Sequence, residues 1–142
     1  MKKTIIALIL VIVLLAGILR GETILRKYGT ATTVDFELYD SNSPHTFFVS
    51  AVSASGDCKI MKDEGDEATV DTNFVDRGQG YSIALSQTEM TATRIALYIA
   101  DLSTPKLWMD RYIAIDTYGN ASAEHPFDLA SEIGRASCRE RV

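Results

Sequence analysis

From Thr33 onward, apolar and polar side chains alternate in short runs; they do not recur every three or four positions. The clearest run is Thr33-Val34-Asp35-Phe36-Glu37-Leu38-Tyr39. Successive side chains of an extended chain point to opposite faces. The run therefore predicts a half-buried antiparallel strand with Val34, Phe36 and Leu38 inward and Asp35 and Glu37 outward. The same pattern predicts strands over Thr46–Val52, where Phe47 and Phe48 supply aromatic mass, and over Cys58–Lys62, Thr69–Val75 and Tyr81–Leu85. Arg94–Ala100 places Ile95, Leu97 and Ile99 on one face, and Leu107–Met109 with Tyr112–Thr117 reads as a closing hairpin. Polar, Gly- and Pro-containing clusters separate these runs, as turns require. Ser86 followed three residues later by Glu89 matches a capping box, which predicts one short helical turn. No later segment carries a long helical period. About seven short strands of this spacing predict an all-β domain, an immunoglobulin-like β-sandwich over residues 22–131.

The first 21 residues differ. Met1-Lys2-Lys3 is a short basic start, and Ile5–Leu19 is almost wholly apolar. That layout fits a secretory signal peptide. It also lies near the lower limit for a membrane-spanning helix, about 17 residues. No tripeptide before a cleavage point has small residues at both required positions, so a cleaved signal and an uncleaved anchor both stand. Either way, Thr4–Leu19 is expected to form one helix detached from the sandwich, with a membrane as its partner.

The last eleven residues, Glu132–Val142, can be spelled codon for codon in the DNA of a common short-read library adapter. They are expected to be an artefact that contributes nothing to the fold. Setting them aside removes three arginines and two glutamates, so the net charge goes from −5 to −6. An acidic domain repels phosphate backbones, which argues against nucleic acid as a partner. It also leaves Cys58 as the one cysteine, too few for an internal disulfide. Among apolar neighbours, Cys58 reads as a small buried hydrophobe.

Several stretches resemble small structural modules of environmental tailed phages. These are Ile24-Leu25-Arg26-Lys27, Gly29 to Asp40, Ile60-Met61-Lys62-Asp63-Glu64-Gly65, Phe74 to Ile83, and Tyr118-Gly119-Asn120-Ala121-Ser122-Ala123. The resemblance spans roughly Ile24–Leu129. It implies a β-sandwich in a virion or tail, with neighbouring protein subunits as partners. The apolar leader points elsewhere, to an exported or membrane-anchored bacterial domain that binds a surface polymer.

Chemistry-bearing clusters are few. Asp63, Glu64, Asp66 and Asp71, with Glu67, Asn73 and Asp76 nearby, offer the oxygen ligands calcium prefers. The spacing is not that of an EF-hand, and a solvated turn is the simpler reading of the run. His45 and His125 each sit beside a proline with no third ligand in view. No G-x-S-x-G turn is present, and neither an enzyme activity nor a cofactor is expected. Trp108, Tyr98 and Tyr112, with Tyr81 and Tyr118, are candidates for a stacking surface, since aromatic faces suit recognition. Core packing is the competing use of the same residues. Ser103-Thr104-Pro105-Lys106 reads as a turn tip able to touch a partner.

Overall fold

The computed structural model describes residues 22–127. The expectations of a helix over Thr4–Leu19 and of a disordered Glu132–Val142 fall outside those residues. Within them the chain is all-β. Eight strands follow in order: β1 (Glu22–Lys27), β2 (Thr32–Phe36), β3 (Cys58–Lys62), β4 (Glu67–Thr69), β5 (Val75–Asp76), β6 (Tyr81–Leu85), β7 (Arg94–Ile99) and β8 (Arg111–Tyr118). They form a five-stranded sheet in the order β1-β8-β7-β3-β4 and a three-stranded sheet in the order β2-β6-β5. Every pairing is antiparallel except β1 with β8, which run parallel from Glu22 opposite Ile113 to Lys27 opposite Tyr118. Among the described residues, no helix is long and apolar enough to cross a membrane.

One hydrophobic core is shared by both sheets. Val34, Phe36, Ile83 and Leu85 enter it from the smaller sheet; Cys58, Ile60, Ile95, Leu97, Ile99, Ile113 and Ile115 enter it from the larger. The alternation in β2 and its continuation is realised as predicted, with Val34, Phe36 and Leu38 buried and Asp35 and Glu37 exposed. At one end the core is aromatic. Phe74 packs edge-on against Phe36, Tyr81 and Trp108, at ring-centre distances of 5.7, 5.3 and 6.0 Å.

The register fixes which loops share an end. β8 starts beside Glu22, and Ile99 lies opposite both Arg111 and Cys58. The chain entry at Glu22, the loop from residue 37 to 57 and the loop from residue 100 to 110 therefore lie at one end. The turns after β1, β3, β6 and β8 lie at the other.

Three strand expectations are corrected, and one strand was not expected. Thr46–Val52 is a loop, and Phe47 makes only an isolated bridge to Tyr39. The Phe48 N–H to the Leu38 carbonyl at 2.8 Å and the Asp40 N–H to the Thr46 carbonyl at 3.0 Å make that bridge. Beyond it the Ala51 N–H goes to the Tyr81 hydroxyl at 3.0 Å, and the pairing does not extend. Thr69–Val75 is divided, because its ends serve different sheets as β4 and β5. Leu107–Met109 is loop, tied across the end of the fold by a bridge from Trp108 to Asp40. β1 is a strand that alternation did not reveal, since its partner is the far end of the chain.

The capping box forms, but without a helix. Glu89 accepts from the Ser86 N–H at 2.7 Å, and the Ser86 hydroxyl accepts from the Glu89 N–H at 3.3 Å. A Met90 N–H to Ser86 carbonyl bond of 3.0 Å and a Thr91 N–H to Thr88 carbonyl bond of 3.2 Å follow before the chain turns into β7. Glu89 is buried and also accepts from the Asp71 N–H at 2.9 Å, so the motif serves to tie the β4–β5 connection to this turn.

Candidate functional site

The buried inner positions of β3, β7 and β8 are isoleucine, leucine and cysteine, with Thr117 at the end of β8, and the alternate positions of the same strands face outward. Register aligns these outward residues in three rows. The first is Lys59, Tyr98 and Tyr112; the second is Met61, Ala96 and Ala114; the third is Arg94 and Asp116. β1 adds Thr23 beside Ala114 and Leu25 beside Asp116.

At its two alanines the middle row is short where its neighbours are long, and this shapes the surface. Tyr98 and Tyr112 stand against each other at 5.1 Å between ring centres, tilted by 55°. On the other side the Arg94 guanidinium meets the Asp116 carboxylate at 3.3 Å. The two alanines form the floor of a depression of about 260 Å³ between these walls, with Met61 and Glu64 at its edge. Arg94 and Asp116 are partly exposed, so their pairing contributes under about 1 kcal/mol to stability and remains available to a partner. The depression thus offers an aromatic wall, an apolar floor and an ion pair whose hydrogen-bonding capacity is not exhausted.

The aromatic candidates separate. Tyr98 and Tyr112 come together on this outer face, and Tyr112 is 43% exposed. Trp108 does not join them: it is 2% exposed and packs on Phe74 and on Phe48. Its place in a loop opposite Asp40 turns it into the core, so of the two uses weighed for it core packing is the one realised. Tyr81 is also buried, its hydroxyl donating to the Phe48 carbonyl at 2.7 Å. Tyr118 is half-buried at the end of β8.

Of the acidic candidates, Asp63 is held by backbone. Asp63 begins the β3–β4 turn with φ of 50°, and its carboxylate accepts from the N–H groups of Thr93 at 3.2 Å and Arg94 at 2.8 Å. Glu64 follows in the same left-handed conformation and edges the depression. Asp66 is exposed in this turn, whereas Asp71 lies by the Ser86 hydroxyl at 3.5 Å. Among the described residues, no group of three or more His, Cys, Asp or Glu side chains is placed to hold a metal ion. His45 is exposed in the long loop, and His125 packs on Phe127 beyond β8, with its N–H on the Thr117 carbonyl at 2.9 Å.

Two titratable groups are displaced from their ordinary range. Burial pushes the Cys58 thiol up, against a weak contact of 3.9 Å with the Ser53 hydroxyl, so the thiol stays protonated and inert. Burial acts in the same upward sense on Asp101, but the Ser103 hydroxyl and the N–H groups of Ser103, Leu107 and Trp108 outweigh it and hold the carboxyl below its usual value. Asp101 thereby organises the loop that carries Pro105, and Ser103-Thr104-Pro105-Lys106 is an exposed turn built on that carboxylate.

The residues that sequence reasoning missed are Ala96, Ala114, Arg94, Asp116 and Met61. Their signal was faint but present: an alanine at an outward strand position, flanked two residues away by a tyrosine on one side and a charge on the other. Only the register puts the two such patterns side by side. No protein-family model, curated protein or solved structure matches this chain.

Proposed function

We propose that this chain is a non-enzymatic, immunoglobulin-like β-sandwich that serves as an attachment module. It grips a neighbouring protein subunit through the outer face of its five-stranded sheet. The observation that carries this reading is the depression between the Tyr98–Tyr112 pair and the Arg94–Asp116 pair over an alanine floor. Tyrosine, methionine and arginine are the side chains enriched where proteins meet, and here they share one sheet face with small residues that let a partner approach.

The immunoglobulin-like assignment is supported by strand order. The last two strands pair with the third in one sheet, and the second pairs with the sixth and fifth in the other. β4 extends the first sheet as an added edge, and β1 lies parallel to the last strand. Two hallmarks of antibody domains are missing: Cys58 is free, and Trp108 sits in a loop. The resemblance to tailed-phage modules gives the setting, a virion or tail.

A second reading is an exported or membrane-anchored bacterial domain that binds a surface polymer. Its support is the same tyrosine pair, whose faces suit a sugar ring, together with the apolar run that ends only three residues before β1.

Photo-crosslinking separates the two. A benzophenone amino acid at position 98 or 112, in the protein expressed from its own genomic setting, should trap one and the same identified protein; at Val75, on the other sheet, it should not. If no protein is trapped, and a glycan array retains the natural chain but not Tyr98→Ala/Tyr112→Ala, the partner is a polymer.

A further inference from the structure

The end of the fold where β1 begins is apolar in a way the core does not require. Six large hydrophobic side chains are exposed in its loops: Val52 at 80%, Leu102 at 64%, Val49 at 58%, Phe47 at 49%, Leu107 at 48% and Met109 at 47%. They come from two segments, residues 47–52 and 102–109, which meet where the Phe48 and Trp108 rings pack at 5.8 Å. Between them lies a groove of about 380 Å³, edged by Val52, Leu102 and Leu107 with Phe48 and Trp108 in its wall. At the opposite end, over residues 28–31, 63–66, 86–93 and 119–127, Phe127 at 45% is the one exposed large hydrophobic side chain among the described residues. So the aliphatic surface is confined largely to one end, and it is the end at which the chain enters.

The sequence says what precedes that entry. Leu19 closes the apolar run, and only Arg20 and Gly21 separate it from Glu22. Three residue steps reach about 10 Å at full extension. The headgroup layer on each side of a bilayer is roughly 5–7 Å deep. A domain whose first strand starts that close to an embedded Leu19 cannot hold the loops around that strand clear of the bilayer surface.

We infer that these loops are a second lipid contact. Val49, Val52, Leu102 and Leu107 insert into the interfacial region of the bilayer and set the domain on the membrane with its β1 end down, a placement that rests on the anchored setting described above. Exposed apolar side chains gain free energy on entering this region, roughly in proportion to the area they bury. Charge attraction does not drive the contact, because the chain is acidic, with a net charge of −5. Zwitterionic lipid therefore suffices, and anionic lipid weakens the contact.

The test uses the full chain in phosphatidylcholine vesicles. The Cys138→Ser background carries a single environment-sensitive dye at Val52→Cys, at Leu102→Cys, or at Ser122→Cys on the opposite end. Cys58 is buried and its thiol protonated, so it takes no label. The chain should float with the vesicles. The dyes at 52 and 102 should shift to the blue and be quenched several-fold by spin-labelled lipid, and the dye at 122 should behave as in water. If the chain floats but the dyes at 52 and 102 remain water-like, the loop contact is overturned while the anchored setting stands. A blue shift without quenching by lipid also overturns it, because a protein surface then covers the loops, whether the chain's own leader or a second copy. A chain that does not float refutes the anchored setting and the loop contact together.

Discussion

Ile113 and Tyr112 are neighbours in β8, yet they belong to different regions of the molecule. Ile113 faces inward with no exposed surface, opposite Leu97 and in line with Ile95 and Ile115 of the same sheet face. Tyr112 faces outward, 43% exposed, beside Tyr98. The inner face is uniform, and its branched side chains are enclosed by those of the other sheet. The outer face is varied: alanine, tyrosine, arginine and aspartate in adjoining rows. Stability constrains the inner face at each position, because a lost methylene leaves a void that the packed surroundings fill only in part. The outer face is free to differ, and that is where a recognition surface can be written on the same strands without cost to the fold.

The largest expected effect is on the inner side. Ile113→Ala should lower unfolding free energy by about 2–5 kcal/mol, measured by denaturant titration. A loss below about 1 kcal/mol, the range of ordinary surface changes, would erase the distinction between the faces.

Asp101 sharpens the comparison, because it is a buried carboxylate just past the end of β7. Its folded-state pKa is depressed, so the stability it contributes is fully present above the unfolded aspartate value of about 3.9. That contribution is lost as pH falls through the lower, folded value. Asp101→Asn should cost about 1–3 kcal/mol at neutral pH, since a weaker acceptor then faces the N–H groups of Leu107 and Trp108. The variant's stability should also fall less steeply than the natural chain's on acidification below about pH 4. Equal acid slopes would mean that these hydrogen bonds carry no charge-dependent energy.

The smallest stability effect belongs to the outer face. Tyr98→Ala with Tyr112→Ala should cost under about 1 kcal/mol of cross-strand packing, while abolishing capture of the partner by a crosslinker at Met61. Retained capture would place the recognition surface elsewhere.

Much of the fold was legible in the chain. The period of two fixed the faces of β2, β3, β6 and β7, and it separated Ile95, Leu97 and Ile99 from their polar neighbours, because burial on one face of a strand is a local property of alternate residues. The Ser86–Glu89 capping box was local in the same sense, and its hydrogen bonds formed even where no helix followed. Thr46–Val52 failed for the opposite reason. Its composition suits a strand, but a strand needs a continuous edge to pair with; pairing with the Leu38–Asp40 stretch stops after one bridge, and the Ala51 N–H goes to the Tyr81 hydroxyl instead.

By itself, then, the sequence determined that this is an all-β domain with a known set of inward side chains and an acidic surface, since each of these depends on residues near one another in the chain. Tertiary structure alone decided the rest. The parallel seating of β1 on β8 joins segments some 90 residues apart, and it puts the chain entry at the apolar end. The burial of Trp108 depends on a bridge to Asp40, and the depression depends on Ala96 falling opposite Ala114. Register between distant strands is set by how the whole core closes. No local pattern specifies it.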